Sequence, residues 1–394
     1  MRVIIRGRWV LPIDSEPLRD ADVVVEGDRI VEVRPATGEV PPHVVTPGLV
    51  NAHAHLQYGP SFADLATGHR PFADWIGEMI RRRAATTDEG WRTEAKASWA
   101  LARAAGTTAV SDVVSDTAAL AVDVPGVRFV ESVGVASDDW PAERDRLTDA
   151  MRGHPGSAPA PHTLYTLGTE VVRGIGELAR GTGRRVHVHL AETADEGVFV
   201  RDGAGPLAEL PFSARMELVR TGGVGVSPAA HLDQLLGLGP DLHVAHGVHL
   251  DADDRSLLRG AGTAVALCVR SNGVLQAGEP PLAAHLEEGN PFCVGTDSLA
   301  SSPSLDLLDE LRALTELAAR QHYDRPDLAR RLVEAATIGG ARAIGQDDGG
   351  VLTVGTVADL AVFEVDDGAD DEDPYAALIR SGRCLLTLVG GRPD

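Results

Sequence analysis

The chain has 394 residues, of which 43% are hydrophobic, 24% charged and 4% aromatic, and its formal net charge is −22. This composition is typical of a globular protein with one large domain and room for a smaller one, and it excludes a fibrous or disordered chain. The excess of 58 acidic over 36 basic residues repels nucleic acids and anionic lipid, so neither is expected as a partner.

The cysteines and the apolar runs indicate the compartment. Cys268, Cys293 and Cys384 are scattered and form no CxxC pair, so neither a disulfide framework nor a zinc knuckle is indicated. The N-terminal run carries charges among its apolar residues and lacks the core of a signal peptide. No segment approaches the ~20 unbroken apolar residues of a membrane-spanning helix. We therefore expect a cytoplasmic protein with no membrane partner.

Short strands are predicted at both ends of the chain. Up to about residue 46, apolar β-type runs are separated by turn signals, one of which is the hairpin signal Gly27-Asp28. Similar runs occur at residues 350–363 and 383–390. Two strand-rich ends that flank a long middle predict one small β-sandwich domain, built from residues 1–47 and 350–394.

The middle of the chain alternates between apolar β-type runs and helical patterns, such as those at residues 91–105 and 304–320. Eight such runs over about 300 residues are typical of a (β/α)8 TIM barrel, which we predict for residues 48–349. A doubly wound sheet is the competing layout, but no GxGxxG motif follows the first run. The long connections at residues 58–85 and 193–236 are expected to form lids or pocket walls. The runs lie near residues 49, 107, 127, 160, 186, 242, 263 and 292.

Two histidines, His53 and His55, end the first of these runs with one residue between them. Because strand side chains alternate between faces, both point the same way, about 7 Å apart. At the C-terminal end of a barrel strand that direction is the mouth of the barrel, where active sites lie. Two neutral imidazoles could bind a divalent metal ion there, whereas the HxH pair alone could also be two unrelated surface histidines.

Further metal-capable side chains end later runs. His187 and His189 lie on the fifth run, and Glu192 follows three residues beyond. His246 ends the sixth run and Asp297 the eighth. Because a barrel brings the C-terminal ends of its strands to one rim, these groups are predicted to converge around one site.

The motifs PGLVNAHAHL, HLAET, AHGV and GTDS occur in that order, and with them the chain resembles the amidohydrolase superfamily. More narrowly, it resembles the cytosine/guanine deaminase and chlorohydrolase-like branch. The resemblance spans nearly the whole chain, because GVLTVGTVADLAVF is similar to the strand by which that branch returns to its small β domain. It implies a metal-dependent hydrolase acting on C–N bonds, a deaminase of a cyclic amidine.

The resemblance also implies a metal centre. His53, His55, His189 and Asp297 match the ligands of a divalent ion, for which zinc is the first expectation and iron the alternative. Many superfamily members bridge two metals with a carboxylated lysine on the fourth strand. The one lysine of this chain, Lys96, lies in a helical segment well before that strand, so a single ion is expected.

The catalytic roles implied by the resemblance fall on three residues. Glu192 matches the general acid/base of the deaminases, and His246 and Asp297 match the groups beside the metal-bound water. Coordination lowers the pKa of such a water towards ~7. Glu192 would protonate a ring nitrogen and then the departing amine, so that ammonia leaves. His187, which faces the same way as His189 but one layer deeper, is expected to pack behind the ligands.

Substrate contacts are predicted for Glu192 and for three further residues. Gln57 follows the HxH pair, His162 lies on the fourth run, and Arg270 lies in the segment CVRSNGVL after the seventh. That segment departs from the branch pattern, which has His and Pro on either side of its cysteine. A guanine or triazine substrate is therefore not carried over from those relatives.

The sequence of the first loop, residues 51–76, is most similar to that of the aminodeoxyfutalosine deaminases. Those enzymes act on an adenine ring joined to a ribose and a benzoate. The best substrate prediction is therefore 6-aminodeoxyfutalosine, in menaquinone biosynthesis. Deaminases of S-adenosylhomocysteine, methylthioadenosine or guanine, and a cyclic-amide hydrolase of the imidazolonepropionase type, stay open. A non-catalytic scaffold is disfavoured, because converging buried polar groups are costly. The expected partner is a small-molecule substrate, and a homodimer is left open.

Overall fold

The computed structural model of the protein describes residues 2–67, 72–210, 216–366 and 373–393. Part of the predicted first lid, residues 68–71, lies outside the described residues. Within the described ranges, strands stand at both ends of the chain and alternate with helices between them, as the sequence predicts.

The secondary structure elements are numbered here in chain order. The strands are β1 Arg2–Val10, β2 Leu18–Glu26, β3 Arg29–Pro35, β4 His43–Pro47, β5 Leu49–Ala54, β6 Thr107–Val114, β7 Gly126–Ser132, β8 Ser157–Pro161, β9 Val186–Leu190, β10 Leu242–His246, β11 Ala264–Leu267, β12 Phe292–Val294, β13 Leu360–Glu364, β14 Arg383–Val389 and β15 Arg392–Pro393. The helices are α1 Phe72–Ala85, α2 Asp88–Ala104, α3 Trp140–Gly153, α4 Thr169–Thr182, α5 Ala194–Asp202, α6 Glu217–Thr221, α7 Pro228–Leu236, α8 Ala252–Ala261, α9 Val269–Val274, α10 Leu282–Glu288, α11 Leu307–Arg320, α12 Leu328–Glu334, α13 Gly340–Ala343 and α14 Pro374–Ser381.

The eight strands β5 to β12 are parallel and form the predicted (β/α)8 barrel. They lie in two four-stranded sheets, ordered β5-β6-β7-β8 and β9-β10-β11-β12, so the ladder is interrupted at two seams. At each seam a backbone hydrogen bond joins the sheets near the C-terminal rim. The His189 amide donates to the His162 carbonyl at 3.0 Å, and the Asp297 amide donates to the His53 carbonyl at 3.0 Å. The predicted barrel is thus confirmed, with two half-barrels as its parts.

Strands from both chain ends form one mixed seven-stranded sheet, ordered β15-β14-β13-β4-β1-β2-β3. Gly27 occupies the β2–β3 turn with φ +64°, a conformation that glycine adopts at low cost. The sheet curls back on itself, because the Ile30 amide donates to the Thr356 carbonyl at 3.1 Å and the Ala358 amide to Asp28 at 2.8 Å. It encloses a hydrophobic core of its own, so the predicted small β domain from both ends is confirmed.

The barrel helices bury one face against the strands. In α11, for example, Leu307, Leu311, Leu314 and Ala318 recur every three or four residues, and all are fully buried. Faces of this kind and the outward side chains of the strands form the main hydrophobic core. None of the helices in the described ranges is long and apolar enough to cross a membrane.

Candidate active site

Strained backbone lies at the C-terminal rim of the barrel. Ala191, His246 and Asp297 end or follow β9, β10 and β12, and each has a positive φ, between 52° and 71°. For residues with a Cβ atom this left-handed conformation costs roughly 1–3 kcal/mol, and it persists where the surrounding structure holds it in place. Strain at three points of one rim is typical of a functional site rather than of ordinary strand ends.

The four predicted metal ligands come together at this rim, and all four are buried. Nε2 of His55 lies 3.1 Å from Nε2 of His189. Oδ1 of Asp297 lies 3.8 Å from Nε2 of His53 and 3.8 Å from Nε2 of His55. Side chains from the first, fifth and eighth barrel strands, far apart in the sequence, therefore present nitrogen and oxygen atoms to one small volume.

These residues fit a divalent cation. Ligand atoms on a tetrahedral zinc at ~2.1 Å lie roughly 3.3–3.5 Å from one another, which is close to the separations found here. Nε2 of His53 is buried without a hydrogen-bond partner, which is costly unless its lone pair has something to bind. Burial lowers the pKa of both His53 and His189 well below the ordinary value, and the neighbouring imidazoles lower it further. The imidazoles are therefore neutral at neutral pH, as metal ligands must be.

Asp297 is held by two hydroxyl groups. Ser271 donates to its Oδ2 at 2.7 Å, and Ser301 donates to the same oxygen at 2.9 Å. Both hydrogen bonds fall on one oxygen, so Oδ1 faces the imidazoles. Support of this kind fixes the direction in which a ligating carboxylate points.

Glu192 and His246 lie beside the ligand cluster. Oε1 of Glu192 is 3.8 Å from Nε2 of His246, and both side chains are buried. Nδ1 of His246 lies 2.9 Å from Oδ1 of Asn272, which fixes the ring so that Nε2 faces the cleft. Burial raises the pKa of Glu192 above its ordinary value. Burial thus favours the protonated carboxyl group, which is the form that a general acid needs.

A cleft opens above the cluster. Of the predicted residues, it is lined by His55, His162, His189, Glu192, His246 and Asp297. The His162 ring is held by Thr166, whose Oγ1 lies 3.0 Å from its Nδ1. The prediction that His162 faces a pocket therefore agrees with its place in the structure.

Two predicted substrate contacts, Gln57 and Arg270, do not line the cleft. The Gln57 side chain is buried, and its Oε1 accepts a hydrogen bond from the Asp116 amide at 3.1 Å. Arg270 lies on α9, and its Nη1 donates to Ser304 at 2.9 Å and lies 3.5 Å from Oδ2 of Asp309. In this geometry the two residues contact neighbouring loops, and their contact with a substrate stays a prediction.

Two charged residues of the cleft, Glu131 and Arg83, are absent from the sequence-based predictions. Glu131 lies on β7 with 4% of its surface exposed, and its Oε2 accepts a hydrogen bond from Ser115 at 2.5 Å. Its Oε1 has no hydrogen-bond partner. A charged residue near the end of an apolar β run, VRFVES, is the signal that could have identified it. Arg83 lies on α1, in the lid.

The chain belongs to the amidohydrolase family, whose sequence model matches residues 44–393. It is therefore a hydrolase acting on C–N bonds, and the predicted superfamily is confirmed. A 5-methylthioadenosine/S-adenosylhomocysteine deaminase of Haloarcula marismortui is 32% identical over 339 residues, which cover 82% of this chain and 73% of that protein. This relative agrees with the deaminase branch of the family.

Solved structures show the same fold. A zinc-bound adenosine deaminase from Xanthomonas campestris superposes with a TM-score of 0.80 at 26% identity, over 99% of this chain and 92% of that one. Aminofutalosine deaminase from Helicobacter pylori superposes with a TM-score of 0.81 over 100% of both chains. At 20% identity, the second likeness shows the fold alone.

Proposed function

We propose that the chain is a metal-dependent aminohydrolase that removes ammonia from the adenine ring of a nucleoside. The observation that carries the proposal is the position of Glu192, a buried carboxyl group with a raised pKa, 3.8 Å from His246 at the edge of a buried imidazole and carboxylate cluster. The names of the relatives, which are deaminases of adenine nucleosides, support it.

The ion proposed for the site is zinc, held by His53, His55, His189 and Asp297. The bound zinc in the Xanthomonas campestris structure supports this choice. When bound, a divalent ion polarises water and so supplies a nucleophile at neutral pH. Three neutral imidazoles and one carboxylate leave the ion a net positive charge, which that chemistry requires.

The proton transfers are assigned to two carboxyl groups. Asp297 directs Oδ1 towards the cluster and accepts the proton of the attacking water. Glu192, whose raised pKa keeps a protonated form available, donates to the ring nitrogen beside the attacked carbon. This withdraws electrons from that carbon. Glu192 then takes the proton of the new hydroxyl group and passes it to the amine, which leaves as ammonia. His246 donates from Nδ1 to Oδ1 of Asn272, so its Nε2 presents a lone pair to the cleft and accepts a hydrogen bond from the attacking water.

For the substrate, 6-aminodeoxyfutalosine is the first candidate, and with it a place in menaquinone biosynthesis. The resemblance of the first loop to aminodeoxyfutalosine deaminases supports it, as does an apolar cleft wall that includes Ile76, Met79 and Leu275. 5-Methylthioadenosine or S-adenosylhomocysteine is the second candidate, favoured by the relative from Haloarcula marismortui. The cytoplasmic location stays a prediction.

An ammonia-release screen of the zinc-loaded protein tests the proposal. The panel contains adenosine, 5-methylthioadenosine, S-adenosylhomocysteine, 6-aminodeoxyfutalosine and guanine, together with a cyclic amide. Release of ammonia from an adenine nucleoside is the expected result. Ring opening of the cyclic amide, with no ammonia from any purine, would overturn the proposal in favour of the cyclic-amide hydrolase.

A further inference from the structure

One face of the lid helix α1 lines the cleft. Its members are Trp75, Ile76, Met79, Ile80 and Arg83, which follow one another at helical spacing. The first four are apolar or aromatic, whereas the fifth position, where the pattern predicts another apolar residue, carries a guanidinium. A cation therefore ends an otherwise apolar stripe that faces the site.

Arg83 differs from its two neighbours on the helix. Arg81 and Arg82 both donate to Glu78, at 2.5 Å and 2.8 Å, so their charges are compensated. The Arg83 guanidinium makes no hydrogen bond or ion pair within the described part of the chain. The guanidinium carbon lies over the face of the Tyr58 ring, 5.9 Å from its centroid. The half-buried guanidinium thus keeps its donors available.

Tyr58 relates Arg83 to the ligand cluster. The Tyr58 ring is stacked on His55, with centroids 5.6 Å apart, and it contacts Arg83 with the same side chain. The Tyr58 ring therefore lies between the Arg83 guanidinium and His55, one of the proposed metal ligands. A substrate whose ring meets Glu192 would direct its opposite end along the α1 face towards Arg83.

We propose that Arg83 binds a carboxylate carried by the substrate at the end away from the deaminated ring. The proposal rests on the proposed function, and it makes Arg83 a residue that determines specificity. A guanidinium forms two parallel hydrogen bonds with a carboxylate, and such charge-assisted bonds are stronger than neutral ones. Met79 and Ile80 beside it fit an apolar substituent that carries the acid. A single cation among apolar side chains suits a monoanion better than a phosphate dianion.

The test compares two substrates that differ in charge alone. An adenine nucleoside with an aromatic carboxylate on its 5′ substituent is assayed beside its primary carboxamide, and kcat/KM is measured for both. In the wild type we expect the acid to be favoured by about 10- to 100-fold. In Arg83→Met the ratio of kcat/KM for the acid to that for the amide falls to about one. Arg83→Lys keeps the charge but cannot donate two parallel hydrogen bonds, so it gives an intermediate ratio.

The matched control is Arg81→Met, on the same helix but paired with Glu78 and directed to solvent; it keeps the wild-type ratio. An unchanged ratio in Arg83→Met, or equal loss for acid and amide, overturns the proposal. So does a preference for adenosine monophosphate over the carboxylate in the wild type.

Failure of the proposed function gives a different result, namely no ammonia from acid, amide or adenosine. In that case calorimetric binding of the acid and the amide to wild type and Arg83→Met decides the role of Arg83, with the same ratios expected.

Discussion

Nδ1 of His53 lies 2.7 Å from Nε2 of His187, whose own Nδ1 lies 3.1 Å from the His243 carbonyl oxygen. A carbonyl only accepts, so His187 carries its proton on Nδ1 and its Nε2 accepts from His53. The lone pair of His53 is thereby placed on Nε2, the atom that faces Asp297 at 3.8 Å. His187 therefore fixes the tautomer in which His53 can bind a metal, as carbonyls and carboxylates behind metal-bound histidines do.

Replacement of His187 should weaken metal binding. His187→Leu leaves the His53 Nδ1 without an acceptor, and we expect metal affinity to fall by about 10- to 100-fold. His187→Gln, whose amide oxygen can accept the same hydrogen bond, should recover part of that loss. Competition with a chelator measures both affinities. Equal affinity in wild type and His187→Leu would show that the histidine only fills space.

Replacement of the proposed acid and base should separate turnover from metal binding. Glu192→Gln keeps the size of the side chain but cannot transfer a proton, so kcat should fall by about 10²- to 10⁴-fold. Its metal content, measured by plasma emission, should stay at the wild-type level, because Glu192 is not among the proposed ligands. Loss of the metal in this variant would mean that its role has been misassigned.

A methyl group at Gly295 should disturb the first metal ligand. A Cβ atom there would lie 2.7 Å from Cβ, 2.8 Å from the carbonyl oxygen and 2.9 Å from the nitrogen of His53. Since backbone cannot move as a flexible side chain does, we expect Gly295→Ala to cost about 1–3 kcal/mol of unfolding free energy and to weaken metal binding. The control is Gly181→Ala in α4, where the added carbon meets nothing within 4 Å. Urea unfolding compares the two, and equal stabilities would contradict the prediction.

Glu310 should make stability depend on pH. Burial raises the pKa of this fully buried carboxyl group to about 8, although the Arg270 amide donates to its Oε2 at 3.2 Å. Because the folded state then binds more protons than the unfolded one, stability falls as pH rises from the unfolded pKa through the folded pKa. Relative to Glu310→Gln, the wild type should lose about 2–3 kcal/mol of unfolding free energy between about pH 6 and about pH 9. Urea unfolding at the two pH values measures this difference, and parallel stabilities would refute it.

Much of the site could be predicted because it depends on strand geometry. The two-residue spacing of His53 and His55 and the positions of His189 and Asp297 at the ends of β runs place four metal-capable side chains at one rim. Their selection as the ligands is what the family resemblance implies. The same strand patterns predict that both chain ends form the small domain. The interruption of the barrel into two sheets depends on register, which a pattern of apolar residues does not specify.

The substrate contacts were less predictable because they depend on loops. Gln57 follows the HxH pair, yet the chain turns after β5 and directs its amide to Asp116. Arg270 follows β11, yet the short helix α9 directs it to Ser304. Arg83 lines the cleft because of tertiary packing, which neither a motif nor a spacing indicates, whereas Glu131 is indicated only by its place near the end of a β run.

The two seams of the barrel have a consequence for folding. His53 and His55 belong to the half-barrel β5–β8, whereas His189 and Asp297 come from the half-barrel β9–β12. A cation bound by all four side chains would cross-link the two half-barrels. Its removal should therefore weaken the association of the halves as well as abolish catalysis. Chelation should then split one cooperative melting transition into two, and the order in which the halves assemble would decide when the enzyme captures its ion.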